Sequence, residues 1–115
     1  MADINSVRIQ IIESAKELYK DNLYKILLYG SYARGDHNEE SDVDIMILLD
    51  CNESELNQYR KNTSKMASRI GLDNDVEVSL VLRDRANYED RQRIMPFYSN
   101  VSREGVLFYQ KEEAL

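Results

Sequence analysis

Two short groups of residues in this chain are able to do chemistry, and they lie close together in the sequence. Gly30 and Ser31 directly follow an apolar run, and Asp42 comes after a further ten residues. A glycine lets the backbone approach a ligand closely, and the neighbouring backbone N–H groups and a serine hydroxyl can donate to a phosphate. Arg34, if its head group turns inward, supplies positive charge to the same phosphate. This first group predicts a phosphate-binding turn.

Asp42 and Asp44 form the second group, at the start of another apolar run. Residues at i and i+2 of a strand point to one face, so both carboxylates are predicted to lie side by side. Two carboxylates that close together repel each other unless a cation lies between them. Mg²⁺ prefers hard oxygen ligands and is usually bound through a few carboxylates together with substrate phosphates. Either group alone is more often structural, but their conjunction predicts a site for a metal ion and a phosphorylated substrate.

The spacing of apolar residues predicts the elements that position these groups. Apolar residues at threes and fours indicate helices, and short apolar or alternating runs rich in strand formers indicate strands. In chain order, these are a helix over 4–19, strands over 24–29 and 42–49, a helix between 52 and 71, a strand over 75–82, a helix over 85–94, a helical turn from 96 to 105, and a short last strand or extended segment over 106–109. The segment between the first two strands is too short for an ordinary helical crossover, so these strands are expected to be antiparallel. The predicted fold class is α/β (α+β), a small mixed β-sheet backed by helices.

Composition limits the classes of protein to which this chain can belong. Its 115 residues suffice for a single domain spanning 1–115. The 15 Lys and Arg against 21 Asp and Glu give a net charge of −6, which argues against binding to long nucleic acid. A single cysteine, Cys51, excludes an internal disulfide and a cysteine-rich zinc site. No apolar run has the length of a signal-peptide core or a membrane span, so the sequence predicts a cytoplasmic protein with no membrane partner.

The segment LLYGSYARGDHNEESDVDIMILL, residues 27–49, resembles the DNA polymerase β-like nucleotidyltransferase superfamily, whose mark is Gly-Ser, ten residues and then Asp-x-Asp. Within that superfamily, GSYARGDHNEESDVD is similar to the minimal nucleotidyltransferase group, the MNT type of antitoxin. The resemblance covers nearly the whole chain, because stand-alone domains of this group have about one hundred residues. It implies the polymerase β-like nucleotidyltransferase fold and a metal-dependent enzyme. The expected reaction transfers a nucleoside monophosphate, most simply AMP from ATP, to a hydroxyl group.

The resemblance also implies a role for each matching residue. Gly30 and Ser31 would hold the β- and γ-phosphates of ATP or another nucleoside triphosphate, with Arg34 beside them. Asp42 and Asp44 would ligate two Mg²⁺ ions, or Mn²⁺ in their place. One ion would stabilise the pyrophosphate leaving group, and the other would help to deprotonate the acceptor hydroxyl.

A third carboxylate is implied as well, from a neighbouring strand. Asp75 and Glu77 are both candidates, because the sequence places them two residues apart on the predicted third strand. Relatives usually have an aspartate early in that strand, between apolar residues. Asp75 has the matching side chain and is preferred as the third catalytic and metal-binding acid. Glu77, which has valines on both sides, is the alternative.

The resemblance further implies a partner, since minimal members often act as antitoxins that adenylylate a small helical toxin of the HEPN class. The expected acceptor is therefore a protein side chain of a HEPN-type toxin. Two alternatives stay open. The first is transfer to a small molecule such as an aminoglycoside, although enzymes of that kind usually carry an added helical domain. The second is a non-catalytic antitoxin or binding module of the same fold, although a pure binder has no need of paired acids.

Overall fold

A four-stranded β-sheet with helices on both faces forms the core of the computed structural model, which describes residues 2–113. In chain order, the elements are helix α1 (Ile4–Tyr19), a 3₁₀ turn (Lys20–Asn22), β1 (Leu23–Tyr29), the short helix α2 (Ser31–Arg34), β2 (Val43–Leu49), helix α3 (Glu53–Asn74), β3 (Val78–Asp84), helices α4 (Arg85–Arg91) and α5 (Pro96–Glu104), and β4 (Val106–Gln110). None of the described helices is long and apolar enough to cross a membrane.

The sheet is mixed, as the sequence predicts, with the strand order β3-β2-β1-β4. β1 is antiparallel to both of its neighbours, β2 and β4. β2 and β3 are parallel, and α3 provides the long connection that a parallel pair requires. The predicted antiparallel pairing of the first two strands is therefore confirmed, and so is the short last strand.

The two faces of the sheet are covered by different helices. Val43 and Ile45 alternate along β2 and belong to the buried cluster that includes residues of α1 and α3. Met46 and Leu48 belong to a second buried cluster, to which α4 and α5 contribute. Asp44 alternates in phase with Met46 and therefore lies on the face that α4 and α5 cover.

The boundary predicted from the sequence is wrong at the end of α3. This helix runs past the expected stop at Gly71 and ends at Asn74, so β3 begins at Val78 rather than at Asp75. A Cβ atom at Gly71 would lie 2.6 Å from the carbonyl oxygen of Val76, where the chain returns close to the helix. A glycine is thus required at position 71 because the chain packs closely against it, and not because the helix ends there. The helix α4 likewise ends three residues before its predicted boundary, and the remaining predicted boundaries differ by at most two residues.

A buried hydrogen bond joins α1 to α3. The hydroxyl oxygens of Tyr19 and Thr63 are 2.6 Å apart, and both side chains are buried. Burial raises the pKa of Tyr19 to about 12, although the hydrogen bond with Thr63 acts in the opposite direction. The phenol therefore stays neutral at physiological pH, and Thr63 satisfies its hydroxyl away from water.

We expect Thr63→Val, which keeps the shape of the side chain but removes its hydroxyl, to lower the free energy of unfolding by about 1–3 kcal/mol. This is the usual cost of a buried polar group without a partner. Tyr19→Phe combined with Thr63→Val should be more stable than Thr63→Val alone, because no buried hydroxyl is left unpaired. Urea denaturation of the wild type, both single variants and the double variant measures these values. Strict additivity of the two single losses would contradict an interaction between the two hydroxyl groups.

Candidate active site

The turn at the end of β1 lies directly against β2. Gly30 has φ 76° and ψ −155°, a backbone conformation that residues with a side chain rarely adopt. A Cβ atom at this position would clash with Oδ2 of Asp44. Glycine is therefore required both by the conformation of the turn and by the space that the Asp44 carboxylate occupies. The predicted phosphate-binding turn and one of the predicted metal-binding acids are thus immediate neighbours.

Asp42 lies near enough to Asp44 to affect the protonation of the Asp44 carboxyl. Asp44 is partly buried and stands opposite Tyr29 in the antiparallel pairing of β1 and β2. Burial raises the pKa of the Asp44 carboxyl, the negative charge of Asp42 raises it further, and Arg34 acts in the opposite direction. Burial also raises the pKa of the Tyr29 phenol, with the charge of Asp44 adding to the effect. A positive charge between the two carboxylates would relieve their repulsion, which is the electrostatic condition that favours a bound cation.

Arg34 reaches toward α5 from the end of α2. Its guanidinium group is 3.1 Å from the Asp36 carboxylate and 3.5 Å from the carboxylate of Glu104, the last residue of α5. Both ion pairs are partly exposed to solvent, and exposed pairs contribute little to stability because water and salt screen them. A phosphate group can therefore replace a carboxylate on Arg34 at little cost in stability.

One cavity of about 390 Å³ contains most of the predicted nucleotide site. Its first wall brings together Gly30, Ser31, Arg34 and Asp44, beside Tyr29. The second wall belongs to α5 and consists of Phe97, Asn100, Val101 and Glu104. Sequence reasoning missed this second wall, because the α5 residues follow Gly30 by more than 60 positions and form no recognisable motif. Only the packing of α5 against the sheet brings them to the site.

The two candidates for the third carboxylate lie in different backbone environments. Asp75 is the C-cap of α3 in the left-handed conformation, with φ 51° and ψ 47°, and does not belong to β3. The prediction that Asp75 and Glu77 share one face of a strand is therefore wrong. Glu77 directly precedes β3, and its carbonyl oxygen accepts a hydrogen bond of 2.9 Å from the backbone N–H of Val43. This pairing places Glu77 beside Asp42 in the parallel register of the two strands.

The predicted metal-binding acids line two different cavities. Asp42, Asp75 and Glu77 line a cavity of about 650 Å³, whereas Asp44 lines the smaller nucleotide cavity. The residue beside Asp44 on β3 is Ser79, which is not an acid. Among the described residues, no three His, Cys, Asp or Glu side chains converge closely enough to hold one metal ion. Asp42, directly before β2, and Asp44, within it, nevertheless suit Mg²⁺, which accepts a few carboxylates when substrate phosphates supply further ligands.

Comparison with known proteins identifies the family. Residues 8–102 match the family described as Nucleotidyltransferase domain, and the chain belongs to this family. The match runs from α1 into α5 and includes both the Gly-Ser turn and the paired aspartates. The chain is thus a nucleotidyltransferase, and the expected membership of the minimal nucleotidyltransferase group is confirmed. The mixed sheet with its helices agrees with the polymerase β-like fold that the sequence implied.

Individual relatives are consistent with this assignment. The chain is 40% identical over 80 residues to "Putative protein adenylyltransferase MJ0141" of Methanocaldococcus jannaschii. This alignment covers 64% of this chain and 79% of that protein. It is also 38% identical over 71 residues to "Putative protein adenylyltransferase MJ1379" of the same organism. This alignment covers 58% of this chain and 70% of that protein. A solved toxin–antitoxin structure with AMP-PNP shares the fold, with a TM-score of 0.59 and 20% sequence identity, over 91% of this chain and 74% of that one.

Replacement of Gly30 by alanine tests the close approach of the turn to Asp44. We expect Gly30→Ala to lower the free energy of unfolding by more than about 2 kcal/mol, because backbone strain and a clash with the carboxylate act together. Gly35→Ala is the matched control, since Gly35 also has a positive φ, 83°, but a Cβ there would meet no atom within 4 Å. Its loss should be only the backbone strain, about 1 kcal/mol. Chemical denaturation measures both, and equal losses would show that Asp44 does not restrict this turn.

Proposed function

We propose that this chain transfers AMP from ATP to a hydroxyl group on a partner protein. The observation that carries the proposal is the close approach of the Gly30 turn to the Asp44 carboxylate, because it unites a phosphate-binding backbone and a metal-binding acid in one cavity. Two relatives are named as protein adenylyltransferases, and one structural neighbour is a complex with the ATP analogue AMP-PNP. These names support ATP as the donor and a protein as the acceptor.

Gly30, Ser31 and Arg34 would bind the triphosphate. The backbone N–H groups of the turn and the Ser31 hydroxyl donate to phosphate oxygens, and the Arg34 guanidinium supplies positive charge. Arg34 exchanges its contact with Glu104 for a phosphate when the nucleotide enters. Because the ion pair is partly exposed, little stability is lost in the exchange.

Asp42 and Asp44 would hold the divalent cations, two Mg²⁺ ions with Mn²⁺ as a substitute, as the sequence implies. When bound, such ions neutralise charge on the triphosphate and on the leaving pyrophosphate. The chain's own contribution is to hold Asp42 directly before β2 and Asp44 within it, two positions apart. Burial and the negative charge of Asp42 raise the pKa of the Asp44 carboxyl, and a bound cation would offset the repulsion between the two carboxylates.

We propose Glu77, rather than Asp75, as the third acid. The backbone of Glu77 is hydrogen-bonded to the segment that carries Asp42, whereas Asp75 belongs to the end of α3. In the reaction, the acceptor oxygen forms a bond to the α-phosphorus, and the bond from this phosphorus to the pyrophosphate oxygen breaks. The proton of the acceptor hydroxyl must pass to a base, and the Glu77 carboxylate would accept or orient it.

A HEPN-type helical toxin is the proposed partner and acceptor. The structural neighbours include toxin–antitoxin complexes, which supports an antitoxin role, and the HEPN class follows from the sequence resemblance. The net charge of −6 argues against long nucleic acid as the partner. The cytoplasmic location stays a prediction from the sequence. A non-catalytic antitoxin of the same fold is the second candidate, and the absence of a third converging acid among the described residues favours it.

Asp42→Asn and Asp44→Asn test whether the chain is catalytic. Each variant is expected to lower AMP transfer at least about 100-fold, because the cation loses one of its two protein carboxylates. The assay uses labelled ATP, Mg²⁺ or Mn²⁺, and the protein encoded by the neighbouring gene as the acceptor. Asp90→Asn, which removes an exposed acid on α4 outside both cavities, is the control. If the wild type binds ATP but transfers nothing to its partner, the non-catalytic antitoxin becomes the better account.

Glu77→Gln and Asp75→Asn form a matched pair that identifies the third acid. Glu77→Gln is expected to lower kcat at least about 100-fold, the lower range for the loss of a positioned base, while ATP affinity changes little. Asp75→Asn should leave kcat near the wild-type value, and it should fold normally, since asparagine tolerates the left-handed conformation. Initial rates and calorimetry with ATP provide the two readouts. The reverse result would restore Asp75 to the role predicted from the sequence.

A further inference from the structure

The α5 wall of the nucleotide cavity contains a large apolar side chain without a role in the chemistry proposed above. Phe97 lines the cavity together with Gly30 and Asp44, yet 40% of its surface is exposed. Ligand cavities in proteins typically combine apolar and aromatic walls with a few polar groups that fix orientation. Phe97 therefore provides an apolar surface on one side of the cavity, and the other side is polar.

Phe97 is supported in a defined position at the start of α5. Pro96 begins this helix, and its fixed φ suits the first helical position. The rings of Phe97 and Tyr29 are 5.5 Å apart at an interplanar angle of 76°, an edge-to-face contact. Tyr29 is the residue that stands opposite Asp44 in the sheet. The ring of Phe97 is thus held by a residue adjacent to the proposed metal-binding acid.

The side-chain oxygens on the same wall already have partners. Glu104 pairs with Arg34 at 3.5 Å, and Oδ1 of Asn100 accepts a hydrogen bond of 2.7 Å from Arg103. Val101, the remaining residue of this wall, is buried. The exposed part of Phe97 is therefore the surface of this wall that a ligand can cover without first breaking another contact.

We propose that Phe97 is the platform on which the base of the bound nucleotide stacks. The inference rests on the proposed function, since the same cavity must also hold the triphosphate at Gly30 and Ser31. Every base has a flat π-face, and stacking on an aromatic side chain strengthens binding by roughly five- to 150-fold. Purines present a larger face than pyrimidines, so the ring favours ATP and GTP over CTP and UTP. Phe97 is accordingly a specificity-determining residue that this small domain supplies from its own α5.

Calorimetry with ATP and with inorganic tripolyphosphate, both with Mg²⁺, separates base binding from phosphate binding. Phe97→Ala is expected to weaken ATP binding about tenfold, which corresponds to about 1.4 kcal/mol, and to leave tripolyphosphate binding unchanged. The preference for ATP over CTP should fall in the same variant. Phe97→Tyr keeps the aromatic ring and should bind ATP like the wild type. Ile94→Ala is the matched control, because Ile94 is 77% exposed nearby in the chain and does not line the cavity.

Two results would overturn the base platform. In the first, Phe97→Ala binds ATP as tightly as the wild type. In the second, ATP and tripolyphosphate lose equal affinity, which means that Phe97 only supports the shape of the cavity. Thermal melting detects whether Phe97→Ala fails to fold. In that case Phe97→Leu, which keeps apolar volume without an aromatic face, takes its place, and the same loss of ATP affinity is expected. If the wild type binds neither ATP nor tripolyphosphate, the proposed function fails and the platform with it.

Discussion

The close approach of the Gly30 backbone to the Asp44 carboxylate is the constraint on which the rest of the site depends. The antiparallel register of β1 and β2 sets it, because Tyr29 and Asp44 are the last pair before the chain turns away. Any side chain at position 30 would displace the carboxylate that it borders. The backbone groups suited to phosphate and the carboxylates suited to a cation are therefore kept together by the geometry of two neighbouring strands.

This arrangement costs stability, and the cost is informative. A partly buried carboxylate beside a second carboxylate has a raised pKa, as Asp44 does through burial and through Asp42. The folded state consequently binds the Asp44 proton more tightly than the unfolded chain. Ionisation of Asp44 therefore destabilises the fold above its folded pKa, and the cost disappears when pH falls below the unfolded value. A bound cation would offset this loss of stability near neutral pH. Carboxylates whose pKa is shifted by burial and by a like charge are for this reason common at functional sites.

The second wall of the cavity shows how α5 contributes to the proposed nucleotide site. α5 places Glu104 against Arg34 and Phe97 against Tyr29, so it contacts both the phosphate-binding side and the strand that pairs with β2. The ion pair is weak and exchangeable, whereas the aromatic contact is apolar and persists when a ligand enters. The two contacts thereby divide the wall into a polar end, which suits phosphates, and an apolar end, which suits a base.

The sequence by itself determined the Gly-Ser turn after β1, the two aspartates at the start of β2 and the antiparallel pairing of these strands. Their spacing is local, because Gly30 and Ser31 directly follow β1, Asp42 directly precedes β2 and Asp44 lies within it. Only the tertiary structure decided which acid lies beside Asp42 and which side chains complete the cavity. The first question depends on where α3 ends. The sequence suggested Gly71 as the end of this helix, but in the structure Gly71 lies within it and permits the close approach of the returning chain. The second depends on the packing of α5 across the sheet, a contact between segments too distant in sequence for any local pattern to encode.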